Sequence, residues 1–182
     1  KRLPWLVVLL LLGMVVSTVV GVYESVISQL TLIMFFQSMI LDMSGNSGTQ
    51  SLAVTIRILT DGELTASQRR HLVLKEARVG FTNGLILGSI SFVAVGLFVH
   101  FIRGRAFAAS FAMSGCIGIA MVVAMTISSL SGTLIPMFFK KIKVDPAVAS
   151  GPMITTLSDL VAVVSYYTLV SVLLMGMQSA LA

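Results

Sequence analysis

Charge is scarce in this chain. Only 10% of its 182 residues are Asp, Glu, Lys or Arg, against roughly 25% in ordinary soluble domains, and the mean hydropathy is +1.02. A soluble fold is excluded on that ground. Cysteine is almost missing too: Cys116 stands alone inside an apolar run, which rules out a disulfide framework or a thiolate metal cluster and fits a small buried hydrophobe. The two histidines, His71 in a charged stretch and His100 near the end of an apolar run, supply no set of imidazole ligands. No nucleophile and base stand at a catalytic spacing, so an enzyme is not expected.

What is abundant is uninterrupted apolar sequence. Leu3–Tyr23, Gly80–Ile102 and Ala106–Phe139 carry no Asp, Glu, Lys or Arg, and each exceeds the ~20 residues that span hydrocarbon as a helix. The formal charge of +5 comes from basic residues flanking these runs, where they report orientation in a bilayer, so no nucleic-acid partner is expected. The first run follows Lys1 and Arg2 but is too long for a signal peptide and lacks a small-residue cleavage site, so it counts as a span.

The expected fold is an all-α integral membrane protein, one domain of five transmembrane helices at about 4–23, 29–57, 80–102, 106–139 and 146–177. A polar break at Glu24–Ser28 separates the first two. Residues Thr60–Val79 read as a solvated loop, in which Thr65-Ala-Ser-Gln68 has the pattern of a capping box opening a short surface helix. Gly80, Gly84 and Gly88 recur every four residues, a small-residue face that lets another helix approach closely. Asp145-Pro146 has the residues of a helix start, an acceptor followed by proline. Ten of the twelve basic residues fall at one end of the spans and only Arg103 and Arg105 at the other. The ten mark the cytosolic side, which puts the N-terminus inside and the C-terminus outside a multi-pass protein of the cell membrane.

A carboxylate within a span costs at least ~2.5–3.5 kcal/mol and calls for a partner, a cavity or an ion. Asp42 and Asp159 are the two candidates, the other five acidic residues falling in loops or at helix ends. Asp159 lies fourteen residues past Asp145, roughly 21 Å along a helix. Thr155 and Thr156 precede it on the same face, with no basic residue nearby. Either a cation or a hydrogen-bonded, protonated aspartate fits that position. In the second helix Ser38, Asp42, Asn46 and Gln50 recur every four residues as a polar stripe. Gly45 and Gly48 within it allow close helix packing or a local unwinding that turns carbonyls toward a cavity. An all-oxygen ligand set suits hard cations, Mg²⁺, Ca²⁺ or Mn²⁺, and a sparse site that leaves the ion its water favours Mg²⁺. One aspartate per chain matches a divalent ion better if a twofold dimer brings two together.

The stretch Asp42-Met-Ser-Gly-Asn-Ser-Gly-Thr-Gln50 resembles the Asp-x-x-Gly-Asn-x-Gly-x-Gln signature of the MgtE magnesium channels. Gly132-Thr-Leu-Ile-Pro136 and the segment from Asp145 to Asp159 are similar to that family's fourth and fifth helices. The resemblance implies a homodimer in the lipid bilayer conducting Mg²⁺ down its electrochemical gradient, through a pore lined by the second and fifth helices. It further implies Asp159 as the metal-site carboxylate, with Asp42, Gly45, Asn46, Gly48, Gln50, Thr155 and Thr156 lining the pore and Asp145 at its cytosolic mouth. Mg²⁺ is then the transported ion, and no organic cofactor is expected. A proton-coupled divalent cation exchanger and a non-transporting assembly partner are the alternatives. Bacterial members carry a cytosolic sensor region before the first helix, whereas this chain begins three residues before Pro4. Flux through this chain alone is therefore expected to persist when internal Mg²⁺ is raised to millimolar levels, and uptake into loaded liposomes checks it.

Overall fold

The computed structural model describes residues 3–24, 31–62 and 64–179, without the side chains of 4–5, 31–33, 147–150, 174–175 and 177–179. Within these, five helices follow one another: α1 Leu3–Val22, α2 Thr31–Thr60, α3 Ala66–Arg103, α4 Phe107–Lys141 and α5 Pro146–Ser179. Three stretches are long and apolar enough to cross a membrane, namely α3, α4 and Gly151–Leu173 of α5, while α1 holds a shorter apolar run, Leu6–Val22. Lys1, Arg2, Glu63, the expected break at 25–28 and the helix start at Gln29 lie outside the described residues.

The third helix differs from expectation. The capping box is present, with the Thr65 hydroxyl accepting from the Gln68 N–H and the Gln68 side chain accepting from the Thr65 N–H. Instead of a short surface helix, it opens α3 itself, which runs unbroken from Ala66 into the apolar span. No proline or glycine interrupts residues 66–79, and Leu72, Glu76, Gly80, Gly84 and Gly88 are buried along one face, at a constant spacing of four. The glycine face thus begins two turns earlier than the glycines do. At its far end α3 stops at Gly104, which adopts the left-handed φ of 64° and donates its N–H to the Val99 carbonyl, a conformation glycine takes without Cβ strain.

Helix α4 is the hub, packing against α2, α3 and α5, whereas α1 packs chiefly on α5. Toward the Gly104 end the core is apolar and aromatic. Ile40, Val99, Ile117, Ala162, Val163 and Val170 surround the buried Tyr166 and Tyr167, and Tyr23 stacks on Tyr167 with centroids 5.5 Å apart. Toward the basic end the core is made of glycine and serine, which lets backbones touch. A Cβ on Gly84 would stand 2.8 Å from Val122 Cα, and one on Gly88 would stand 2.7 Å from the Gly118 carbonyl.

At the basic end α4 closes in a Schellman arrangement. The Val144 N–H donates to the Phe139 carbonyl at 3.0 Å and the Lys143 N–H to the Lys140 carbonyl at 3.1 Å. The left-handed position that this motif usually gives to glycine is held by Lys143, with φ 61°. One turn earlier, the Lys140 ammonium donates to the carbonyls of Leu59 and Gly62, a cation satisfying the C-terminus of α2.

The glycine contacts give a direct test. Gly84→Ala is expected to destabilise the subunit by about 1–3 kcal/mol, the range for overpacking a tight contact. Gly45→Ala, whose new Cβ would meet nothing within 4 Å, should leave stability unchanged or raise it by up to ~1 kcal/mol. Thermal unfolding of both variants in the same detergent decides, and equal melting temperatures would refute the packing account.

Candidate cation site

Helix α2 is continuous through its glycines, so of the two conformations open to that stretch the regular helix is the one adopted. Continuity fixes which residue faces where, because successive residues turn by about 100°. The outward face presents Ser38, Asp42, Asn46, Thr49 and Gln50, all exposed in the single chain. Gly45 lies on this open side with nothing near its Cβ position, whereas Gly48 is buried against Ser128 and Ile154. The inward face is a ladder of buried hydroxyls, Ser44, Ser47, Ser51 and Thr55.

That ladder fixes the depth of the candidate aspartates. Ser128 of α4 donates to the Ser44 carbonyl at 2.5 Å and its hydroxyl lies 2.6 Å from that of Ser158. The Ser158 hydroxyl is also 2.7 Å from the Ile154 carbonyl, so one proton is shared between two acceptors. Ser47 meets Ser129 of α4 at 2.8 Å. Ser44 of α2 and Ser158 of α5 therefore stand at one level. Asp42 precedes Ser44 by two residues and Asp159 follows Ser158 by one on an antiparallel helix. At 1.5 Å per residue their backbones lie within roughly 2 Å of the same depth. Asp159 is half-buried and Asp42 exposed.

The two threonines of α5 diverge. Thr155 is exposed and donates to the Gly151 carbonyl at 3.2 Å. Its proton is spent on its own helix while its oxygen lone pairs remain free to accept or ligate. Thr156 donates to the Pro152 carbonyl at 3.0 Å and lines an apolar cavity of about 160 Å³ with Leu12, Val15 and Leu160. Asp145 is exposed at the start of α5 and borders a cavity of about 240 Å³ together with Lys140 and Ile56. Among the described residues of one chain no three His, Cys, Asp or Glu side chains cluster as a metal site.

Glu76 corrects the expectation that every acidic residue other than Asp42 and Asp159 lies in a loop or at a helix end. It sits within α3, 5% exposed, and its Oε2 accepts from the Ser51 hydroxyl at 2.8 Å. The neighbouring charges of Lys75-Glu76-Ala77-Arg78 disguise it, but its register four residues before Gly80 was a usable signal. One turn beyond Ser51, the Thr55 hydroxyl is fully buried and finds no hydrogen-bond partner among the described residues.

Residues 37–169, from the helix that carries the polar stripe to the one that carries Asp159, match the model of the MgtE family, a divalent cation transporter. The chain belongs to the MgtE family. It is similar to the magnesium transporter MgtE of Enterococcus faecalis, 41% identical over 171 residues, 94% of this chain and 36% of that protein. The Bacillus subtilis magnesium transporter MgtE is 34% identical over 167 residues, 92% and 35% of the two chains. That of Thermus thermophilus is 34% identical over 173 residues, 95% and 36%. The chain thus spans about a third of the length of these relatives. Family and helices agree on a multi-pass membrane protein.

The buried hydroxyls offer a paired test of polar satisfaction. Ser51→Ala leaves the Glu76 carboxyl buried without its donor and should lower stability by about 1–3 kcal/mol. Thr55→Val, isosteric at an unpartnered hydroxyl, should raise it by about 1 kcal/mol. Opposite shifts in melting temperature are the expected result; a loss in Thr55→Val would mean the hydroxyl has a partner.

Proposed function

We propose that two copies of this chain assemble about a twofold axis as a magnesium channel, conducting Mg²⁺ down its electrochemical gradient through a pore lined by α2 and α5. All five helices then cross the membrane, with the N-terminus cytosolic and the C-terminus outside.

The observation that carries this is the exposed stripe of α2, from Ser38 through Asp42 and Asn46 to Gln50. Hydrocarbon offers no hydrogen bonds, so a carboxylate, an amide and hydroxyls on an outward helix face require water, protein or an ion there. A second copy supplies the missing wall, and an isologous contact repeats each side chain across the axis. Asp159 is the central ion-site carboxylate in this arrangement. It lies at the depth of Asp42, and its position fourteen residues beyond Asp145 places it deep in the membrane. Two such carboxylates about an axis balance one divalent ion. Thr155, Asn46, Gly45 and Gln50 line the path, Gly48 and Thr156 border it from the packing side, and Asp145 stands at the cytosolic mouth. Oxygen ligands spaced around a wide axis leave the ion most of its water, which suits Mg²⁺. The names of the relatives, each a magnesium transporter, support the same ion.

Asp159→Asn removes one negative charge per chain with almost no change in volume. A symmetric pore loses two at once, in surroundings where low dielectric magnifies the attraction. Dimerisation should survive while Mg²⁺ flux into liposomes and bound-ion occupancy fall at least tenfold, a single 1.4 kcal/mol step being a factor of ~10. Asp42→Asn should be milder. Wild-type flux in Asp159→Asn refutes the assignment, and a larger loss at Asp42 moves the main site to α2. Saturating, pH-dependent flux without unitary currents would instead indicate a proton-coupled exchanger.

A further inference from the structure

At the basic end a cavity of about 400 Å³ opens between the ends of α2 and α4 and the start of α3. Its wall is chemically split. Arg69, Lys140, Lys141 and Lys143 supply cations, Leu59, Leu64 and Met137 supply apolar surface, and no carboxylate lines it among the described residues. Four cations facing one space repel each other unless an anion joins them. Two of the four are partly engaged: Lys140 with the carbonyls closing α2, and Arg69 with the Leu64 carbonyl at 3.1 Å. Lys141 and Lys143 are exposed side chains whose ammonium groups meet no partner among the described residues and can bind a ligand.

Two further features say what kind of anion. Lys143 occupies the left-handed C-terminal position of α4, where glycine is the unstrained choice. A lysine there costs stability, which is intelligible if its charge has a use. Below the cavity Leu134, Phe138 and Lys141 follow one another on one side of α4, and Leu134 and Phe138 are about half exposed. An apolar strip leading along a membrane-crossing helix into a cationic recess has the shape of a lipid: acyl chain below, headgroup above. A free phosphate would use the recess and leave the strip unexplained.

We infer that the Arg69–Lys141–Lys143 recess binds the phosphate of an anionic phospholipid whose acyl chain lies along Leu134 and Phe138. The recess adjoins the proposed cytosolic mouth, sharing Lys140 with the cavity that Asp145 borders, but its test does not depend on transport.

The purified full chain is titrated in detergent with a short-chain phosphatidylglycerol and, in parallel, with the matching phosphatidylcholine, bound lipid being counted by native mass spectrometry. The wild-type chain should prefer phosphatidylglycerol. Lys143→Gly should weaken that binding about five-fold, the share of one basic residue near an anionic surface, and Lys141→Gln with Lys143→Gly about thirty-fold. Lys143→Gly also relieves the left-handed strain, so its melting temperature should equal or exceed that of the wild type, which separates lost binding from lost folding. Arg103→Gln with Arg105→Gln removes the same charge at the opposite end and should change nothing. Unaltered phosphatidylglycerol binding in the Lys141/Lys143 variant overturns the site. An equal loss in the Arg103/Arg105 variant reduces it to general surface charge, and displacement of lipid by equimolar inorganic phosphate replaces it with a soluble-anion site.

Discussion

A polar side chain inside a membrane must find its partner within the protein, and this one constraint organises the bundle. It acts most visibly on α2, which carries polar groups on both sides of its middle. Inward, the Ser44 hydroxyl donates to the Leu41 carbonyl of its own helix while its backbone carbonyl accepts from Ser128, and Ser47 and Ser51 are consumed by α4 and by Glu76. Outward, Asp42, Asn46 and Gln50 remain on the surface of the single chain. The first set ties α2 to its neighbours, and the second is the face that the proposed second copy would cover.

Small side chains serve the same end. Serine and glycine bring backbones close enough for a short hydroxyl to reach a carbonyl on the next helix, as Ser128 reaches Ser44. A leucine at Gly48, whose side chain would run into the Ser128 hydroxyl, would hold α2 and α4 apart and strand those hydroxyls. Aromatic packing around Tyr166 and Tyr167 holds the other end of the bundle, where the sequence supplies bulk rather than polarity. The two ends are therefore stabilised by different physics, surface contact and hydrogen bonding at the basic end and apolar burial at the other.

Much of this was legible in the sequence, because helices in hydrocarbon announce themselves by length and apolarity and because Asp42 and Asp159 are conspicuous there. The Thr65 capping box and the Gly80–Gly84–Gly88 face were equally plain. What escaped was phase. Gly45 and Gly48 look alike in the sequence, yet three residues of helix turn one to open space and the other into α4. Thr155 and Thr156 part company for the same reason. Glu76 was hidden by its charged neighbours, since local composition reports exposure on average while burial is settled residue by residue by what packs opposite. The serine ladder was illegible because a serine in a span looks the same whether it bonds its own helix, as Ser131 does with Ile127, or a neighbour.

The grip of Lys140 on the closing carbonyls of α2 has a mechanical consequence. Together with the serine contacts, it pins α2 to α4 at two heights, so the two helices cannot slide or pivot past each other without breaking bonds at both. With α3 bound to α4 along its glycine face, three helices form one stiff plate. Helix α1 hangs mainly on α5, and α5 carries Pro152 in its interior, where a missing N–H leaves the helix able to bend. In the proposed dimer, any change in the width of the pore would therefore fall to the compliance of α5 and its attendant α1.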